Sequence, residues 1–249
     1  MKAVVYILTF LWASLTFAQN ETIFEQGNAL YNDGKYAEAV DKYQTILDSG
    51  MHSSELYFNL GNAYYKLNQI APSIYYYEKA LQLNPQDKDI KNNMAYAKNM
   101  TIDAIDVVPE AGISKIVNNI TNSMTYDGWA ITTVLLFLAF VVLFLIYYFA
   151  EYTNRKRMAF TGSFLVLAAG ILTLVLAFHS FSLDKKNNPA IVFAQESQVK
   201  SEPNLSSQEV FKLHEGTKVQ ILDTVNNWKK IKLADGKTGW ISSEDIKKI

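Results

Sequence analysis

Two stretches of the sequence repeat the same polar and aromatic side chains 34 positions apart. The matching pairs are Gly27/Gly61, Asn28/Asn62, Ala29/Ala63, Tyr31/Tyr65 and Tyr43/Tyr77. Asparagine amides can donate to and accept from the backbone of an extended peptide, and aromatic rings can hold its side chains. The chemistry that these residues predict is therefore non-covalent recognition of a peptide.

Groups that could perform covalent or metal chemistry are sparse. The chain has no cysteine, which excludes disulfides, thiolate metal ligands and cysteine nucleophiles. Its three histidines, His52, His179 and His214, are far apart, and no H-x-x-x-H pair, phosphate loop or G-x-S-x-G motif occurs. The sequence predicts a protein that is not an enzyme and has no metal or cofactor.

The charge distribution argues against nucleic acid as a partner. Residues 19–108 carry 12 acidic and 7 basic side chains, and residues 184–249 carry 9 acidic and 11 basic ones. Nucleic-acid-binding domains usually present a strongly basic face. We therefore predict no nucleic-acid partner.

The 34-residue period resembles the tetratricopeptide repeat, a pair of antiparallel helices that stacks on its neighbours. The predicted repeat region is 19–107, with repeats at about 20–53 and 54–87 and a capping helix at 88–106. Gly61 lets the two helices approach, and Tyr64 and Tyr77 fill the space between them. Tyr75 and Tyr76 are expected to face a neighbouring helix or solvent.

The resemblance implies a concave groove lined by particular positions of the first helix of each repeat. The groove candidates are Phe24, Asn28, Tyr31, Asn32, Phe58, Asn59, Asn62, Tyr65 and Lys66. Some relatives clamp a peptide carboxylate with asparagines and basic residues. Asn28 and Asn59 match those asparagines, but Phe24, Asp89 and Asn93 occupy the basic positions, so that clamp is not predicted. The alternative is that the candidates are packing or surface residues.

Three apolar runs place the chain at a membrane. Residues 1–18 have the charged, apolar and small-residue segments of a signal peptide, an uncleaved anchor being the alternative. Residues 130–150 and 158–181 are long enough to cross a bilayer, and Gly162, Ala169, Thr173 and Ala177 would let these two helices approach. This predicts a two-pass protein of the bacterial inner membrane, in contact with membrane lipid.

The loop between the two spans predicts the orientation. It covers residues 151–157 and contains Arg155, Lys156 and Arg157, and short basic loops stay in the cytoplasm. Both soluble regions are then periplasmic. The alternative for the three charges is a patch for lipid or nucleic acid.

Residues 109–128 carry apolar side chains at helical spacing. They predict an amphipathic linker helix that either lies on the outer leaflet or packs on the repeats.

Beyond the spans, short alternating runs predict a β-domain at 190–249. Residues 218–223, 228–233 and 238–242 read as strands, with turns at Asn226-Asn227 and Asp235-Gly236. The order of these runs resembles a bacterial SH3 barrel. We expect one of Trp228 and Trp240 to fill the barrel and the other to stay partly exposed. The resemblance implies binding of peptidoglycan stem peptides or partner peptides, with a plain spacer as the alternative.

The order of the segments is similar to that of the BatE proteins of the Bacteroides aerotolerance operon. Besides Gly27 and Gly61, the similarity rests on "DGWAI" at Asp127–Ile131 and "DGKTGWI" at Asp235–Ile241. Such proteins occur beside MoxR-type ATPases and von Willebrand A-type membrane proteins. The similarity implies a scaffold in an envelope complex linked to stress or aerotolerance, with von Willebrand A-type proteins as partners and the ATPase reached indirectly.

The predicted fold class is a multi-domain membrane protein. It combines an all-α tetratricopeptide solenoid, a transmembrane α-hairpin and a C-terminal all-β SH3-like barrel. The function predicted first is a non-catalytic adaptor that binds proteins. The alternative is a cell-wall-binding or wall-sensing protein that acts through the SH3-like region.

Overall fold

The computed structural model describes residues 20–105 and 112–249, so the predicted signal peptide lies outside the described residues. Two compact units are present: residues 20–105 together with Pro189–Ile249, and the intervening residues 112–188. The first unit begins with five helices. They are α1 (20–32), α2 (Tyr36–Asp48), α3 (Ser54–Lys66), α4 (Ile70–Leu83) and α5 (Lys88–Lys98).

Local signals fix where these helices start and how they pair. The Ser53 side chain caps α3 by accepting from the backbone N–H of Leu56 at 3.0 Å. A Cβ added at Gly27 would lie 2.5 Å from the Tyr43 ring, and one at Gly61 would lie 2.6 Å from the Tyr77 ring. The glycines therefore let each helix pair close onto a tyrosine.

Tyrosines fill much of the helical core. Tyr76 stacks on Tyr64 with ring centroids 5.5 Å apart, and its hydroxyl accepts from Nε2 of Gln44 at 2.6 Å. Tyr75 and Tyr76 are both buried. The expectation of a neighbouring helix is confirmed for Tyr76, which contacts α2 and α3, whereas Tyr75 also packs against Phe193 of the strand region. The alternative of solvent exposure is wrong for both.

The described strands form one antiparallel sheet. They are β1 (Pro189–Val192), β2 (Glu196–Lys200), β3 (Glu209–His214), β4 (Lys218–Val225), β5 (Trp228–Lys232), β6 (Thr238–Ser242) and β7 (Ile246–Lys248). The spatial order is β3-β2-β6-β5-β4-β1-β7. The three predicted strands are β4, β5 and β6. Because β3 and β7 are free edges, the sheet is open, and the closed barrel is not confirmed.

The two tryptophans of the sheet lie outside its apolar core. That core contains Val199, Ile231 and Ile241, whereas Trp228 and Trp240 are half-buried and do not join it. The expectation that one tryptophan fills the interior is corrected. Small aliphatic side chains fill it instead, because they alternate along the strands on the inner face.

The strands pack directly on α4 and on the segment that follows α5. Ile191 of β1 is fully buried in the core of the helices, and the Tyr75 ring meets Phe193 edge-on at 5.7 Å. A Cβ at Gly216 would lie 2.8 Å from the Thr101 side chain. Two regions that a pair of long apolar helices separates in sequence therefore form one folded unit.

Charged groups fix this boundary between helices and strands. The Asp103 carboxylate accepts from the backbone N–H of His214 at 2.7 Å, from its ring Nδ1 at 2.7 Å and from the Thr217 hydroxyl at 2.6 Å. Partial burial alone would raise the pKa of Asp103, but the hydrogen bonds from Thr217 and His214 outweigh it and lower that pKa. Glu78 on α4 adds an ion pair to Lys218 at 2.7 Å.

The second unit contains α6 (Ile113–Thr121), α7 (Tyr126–Phe149) and α8 (Thr153–Lys186). Helices α7 and α8 are long and apolar enough to cross a membrane. Their apolar side chains are mostly exposed, as lipid-facing residues would be. Helix α6 lies within the predicted linker helix and packs against α8, while residues 109–111 of that prediction lie outside the described residues.

Small and polar residues join α7 to α8. The Thr133 hydroxyl donates to the Thr173 hydroxyl at 3.0 Å, and Gly170 approaches Leu136 of α7. Thr173 therefore lies at the contact, as its spacing predicts. Ala169 is exposed, and the adjacent Gly170 takes the contact position instead.

Candidate functional site

Asn28 on α1 lies at the centre of a hydrogen-bonded set that joins three helices. Its Oδ1 accepts from the Tyr43 hydroxyl of α2 at 2.8 Å and from Nδ2 of Asn59 on α3 at 2.9 Å. A side-chain carbonyl has two lone pairs, so both acceptor positions are used. The Asn28 amide is thereby fixed, with its NH₂ group on the edge opposite these bonds.

The same set recurs one repeat later. Oδ1 of Asn62 on α3 accepts from the Tyr77 hydroxyl of α4 at 2.7 Å and from Nδ2 of Asn93 on α5 at 2.8 Å. All three residues lie 34 positions after their counterparts in the first set. The repeat period therefore copies a polar arrangement as well as a helix packing.

Each set leaves one amide NH₂ group and one amide oxygen for a ligand. Within residues 20–105 and 112–249, Nδ2 of Asn28 and Asn62 donates no hydrogen bond, and Oδ1 of Asn59 and Asn93 accepts none. A donor beside an acceptor is the complement of a peptide group, which offers a C=O and an N–H. The two sets therefore present a repeated pattern that an extended backbone can match.

A cavity of about 310 Å³ lies over the first set. It is lined by Asn28, Tyr31, Asn32, Tyr43, Asn59 and Asn62. Five of the nine predicted groove residues thus come together at one place. All six side chains are uncharged at neutral pH, since burial raises the pKa of the Tyr43 hydroxyl to about 12 and also raises the pKa of Tyr31.

The other four groove candidates do not line this cavity. Phe24 packs on the Tyr43 ring at 5.8 Å and Phe58 packs on the Tyr77 ring at 6.0 Å, so both serve helix packing. Phe24 also borders a separate cavity beside Met51 and His52. Tyr65 is half-buried and Lys66 is exposed.

Three residues of the polar sets were not predicted as groove residues. Tyr77 was assigned to packing, Tyr43 was noted only as its counterpart in the repeat, and Asn93 was considered only as an unsuitable clamp residue. The signal for Asn93 is present in the sequence, because it lies 34 residues after Asn59. Tyr43 could not be found this way, since a tyrosine that fills a helix pair and one that also bonds an asparagine have the same spacing.

The outer face of the sheet carries the second group of candidates. In the strand register Trp240 lies opposite Lys200 of β2 and Lys230 of β5, and directly opposed residues project to the same face. Trp228 is two positions from Lys230 on the same strand and shares this face. Two half-buried indoles and two ammonium groups therefore share one surface.

The predicted topology residues lie at the start of α8. Arg155, Lys156 and Arg157 are exposed there, and the Arg155 guanidinium stands 5.4 Å from the centre of the Tyr152 ring. Within the described residues, no group of three or more His, Asp or Glu side chains could hold a metal ion.

Comparison with protein families identifies two modules in the first unit. Residues 54–87 match the tetratricopeptide repeat, and residues 197–247 match the bacterial SH3 domain. No curated protein matches the chain. Both modules are typically non-catalytic interaction domains, and they indicate that the chain binds other proteins.

Proposed function

We propose that this protein is a non-catalytic, membrane-anchored adaptor whose helix repeats hold an extended segment of a partner protein. The repeated donor–acceptor pair of Asn28 with Asn59, and of Asn62 with Asn93, carries the proposal. These amides are already oriented by the tyrosines, so little side-chain entropy is lost when a ligand binds. The asparagine amides then bind mainly the backbone of the ligand, and Tyr31 at the cavity provides specificity for its side chains.

Because the cavity residues carry no charge, the salt dependence of partner binding can identify this site. An uncharged site is not screened by salt, whereas pairs of exposed charges are. We expect partner binding at the repeats to change little between low and high salt. A carboxylate clamp would lose affinity under the same change.

The groove can be tested by changing asparagine to aspartate in both sets. An aspartate at either position would still accept from the tyrosine hydroxyl and from the neighbouring amide, so the fold is kept. The same change replaces the outward NH₂ donor by a carboxylate oxygen, which repels a peptide carbonyl. The double variant Asn28→Asp, Asn62→Asp should lose the partners that the wild-type chain captures from a detergent extract of envelopes.

The matched control is Gln82→Glu. It makes the same change from amide to carboxylate at an exposed position of α4, which lines no part of the cavity. Capture should be unchanged in this variant. Equal capture by the double variant and the wild type would refute the groove assignment.

The fold of the first unit supports a particular topology. Residues 20–105 and 189–249 share a buried core, so both must be on the same side of the membrane. The chain between them must then cross the membrane an even number of times, which fits two spans, α7 and α8. With Arg155, Lys156 and Arg157 in the cytoplasm, both modules are periplasmic.

Single cysteines can test this topology because the chain has none of its own. Asn84→Cys and Asn204→Cys, one in each module at exposed positions, should react with a membrane-impermeant maleimide in intact cells. Asn154→Cys, beside the basic residues, should react only after the cells are lysed. Labelling of Asn154→Cys in intact cells would reverse the orientation.

A second candidate function is cell-wall binding through the outer face of the sheet. Trp240 between Lys200 and Lys230 offers an aromatic surface beside positive charge, which suits peptides that carry carboxylates. The whole chain in detergent, rather than residues 184–249 alone, should be sedimented with purified peptidoglycan, because Ile191 is buried among the helices. Trp240→Ala should abolish sedimentation while Leu222→Ala, an exposed change on β4, should not; no sedimentation of the wild type would exclude this function.

A more specific form of the adaptor function is that of a scaffold in an envelope complex linked to stress or aerotolerance. Its support is the resemblance of the segment order and of three short motifs to BatE proteins. The partners would be von Willebrand A-type membrane proteins, and indirectly a MoxR-type ATPase. Co-purification of such a protein with the wild type but not with Asn28→Asp, Asn62→Asp would support it, and its absence from both samples would refute it.

A further inference from the structure

A second cavity lies where the helices meet the strands. It has a volume of about 550 Å³, within the range of small-ligand sites. One wall is the segment from Lys98 to Ile105, and the other is formed by residues of β4 and the end of β5, including Lys218, Lys232 and Leu233. We call it the boundary cavity. It is separate from the cavity over Asn28, with which it shares no residue.

Three ammonium groups line the boundary cavity. Glu78, whose side chain is only 10% exposed, holds two of them, with Lys218 at 2.7 Å and Lys98 at 3.4 Å. A lysine has three donors, so each retains N–H groups after this ion pair. Lys232 forms no ion pair with any carboxylate of the described residues. The fold has thus brought cations from a helix and from two strands to one place.

The acidic groups nearby do not cancel this charge. Glu78 neutralises one of the three lysines in effect. The Asp103 carboxylate is turned to its own donors, His214 and Thr217. When Lys98, Lys218 and Lys232 are counted against Glu78 and Asp103, the cavity keeps a net charge of about one positive unit at neutral pH, which favours an anionic ligand.

The volume of the cavity and its apolar wall residues restrict the kind of ligand further. A free anion the size of a few water molecules would leave most of the volume empty, since a water molecule takes up about 30 Å³. Ile105 and Leu233, which also contact the core of the sheet, give the cavity an apolar side. The ligand should therefore carry a carboxylate next to an apolar group.

We propose that the boundary cavity binds the free carboxylate of a short peptide with an apolar last residue. The carboxylate lies between Lys232 and the pair formed by Lys98 and Lys218, and the apolar side chain lies against Ile105. Because Lys98 belongs to the helices and Lys232 to the strands, this ligand bridges the two modules. The proposal does not depend on the groove at Asn28.

Calorimetry on the full chain in a non-ionic detergent at low salt can test this site. The probe is N-acetyl-Ala-Ala-Leu with a free carboxylate, compared with the same peptide as its C-terminal amide. The free acid should bind, and the amide should bind about tenfold more weakly, the effect of losing a charge-assisted contact. Equal binding of the acid and the amide would overturn the proposal.

Lysine variants locate the binding. Lys232→Met should weaken binding of the free acid about threefold, as expected for one partly exposed charge pair, and Lys98→Met with Lys232→Met about tenfold. Lys229→Met, on the same strand but facing the other way, is the matched control and should bind normally. Unchanged affinity in the double lysine variant, with the thermal unfolding midpoint showing that it is folded, would refute the site.

Two further binding measurements distinguish the proposed peptide from a fatty acid and the boundary cavity from the groove. Dodecanoate carries a carboxylate on an apolar chain but no peptide; binding of dodecanoate without binding of the peptide would overturn the peptide assignment. The groove variant Asn28→Asp, Asn62→Asp should bind the peptide acid as the wild type does. Loss of binding in that variant would place the peptide in the groove and refute the boundary cavity.

Discussion

The two helix pairs of the first unit share one internal architecture but differ on their outer sides. In both pairs a glycine lies on a tyrosine ring, and that tyrosine bonds an asparagine of the same pair. Along α4, however, every residue from Ser73 to Glu78 is buried. On α2 only Ala39, Val40, Tyr43 and Ile46 are buried.

The difference comes from what covers each pair. Helix α4 is enclosed by the strands and by α5, and its Tyr75 contacts Phe193 and lies 4.6 Å below the Lys247 ammonium group. The corresponding position of the first pair, 34 residues earlier, is the exposed Asp41. Both helix pairs therefore share the same inner packing. The SH3 module packs on the outer side of the second pair only.

The largest effect should separate these two matched positions. Tyr75→Ala removes a buried ring at the module boundary and should lower the free energy of unfolding by about 3 to 4 kcal/mol. Asp41→Ala changes an exposed residue and should stay within about 0.5 kcal/mol. Urea unfolding of the full chain in detergent, with hydrogen exchange of α4, measures both. Similar losses in the two variants would mean that the first pair is covered as well.

The glycines test what the pairs have in common. Gly27→Ala and Gly61→Ala each put a Cβ within 2.6 Å of a tyrosine ring. Both should cost about 2 kcal/mol, the overpacking penalty less the gain in helix propensity. The same urea unfolding measures the change, and Ala95→Gly at an exposed position of α5 is the control for propensity alone. If only Gly61→Ala is destabilising, Tyr43 has room to move and the first pair is looser than its geometry indicates.

Asp103 tests the boundary between modules and its pH dependence. Asp103→Asn should cost about 1 to 2 kcal/mol, because it removes the charge that accepts from His214 and Thr217. The folded pKa of Asp103 is lowered, so its contribution is complete above the unfolded value of about 3.9 and is lost as the pH falls through the folded value. Stability measured from pH 6 to pH 3 should fall less steeply in Asp103→Asn than in the wild type. Parallel pH profiles would contradict this role.

The smallest effect concerns the tyrosine hydroxyls. Tyr43→Phe and Tyr77→Phe each leave an asparagine carbonyl with one donor instead of two and should cost about 1 kcal/mol. Because the loosened asparagine lines the groove, partner capture should also weaken. The matched control is Tyr96→Phe, an exposed tyrosine on α5. Full stability together with full capture in Tyr43→Phe would show that the polar set does not orient the site.

Local sequence patterns were sufficient for most of the elements. The glycines at 27 and 61, the apolar spans and the turn at Asn226-Asn227 each depend on near neighbours or on a fixed period, and the structure has a helix pair, a helix hairpin and a β-hairpin there. Five of the nine groove candidates, which the resemblance to the repeat family supplied, lie together at one cavity. The prediction that one of Trp228 and Trp240 fills the interior failed because the inner and outer faces of a strand differ by one residue in register.

The sequence by itself determined that this is a chain of helix repeats, two apolar helices and short antiparallel strands, since each of these is encoded by a period of hydrophobic residues. Only the tertiary structure decided that the repeats and the strands share a core. The contacts responsible, such as Asp103 with His214 and Ile191 among the helices, join residues far apart in the chain. No local period records such pairs, because burial and charge complementarity across a long loop depend on the final packing.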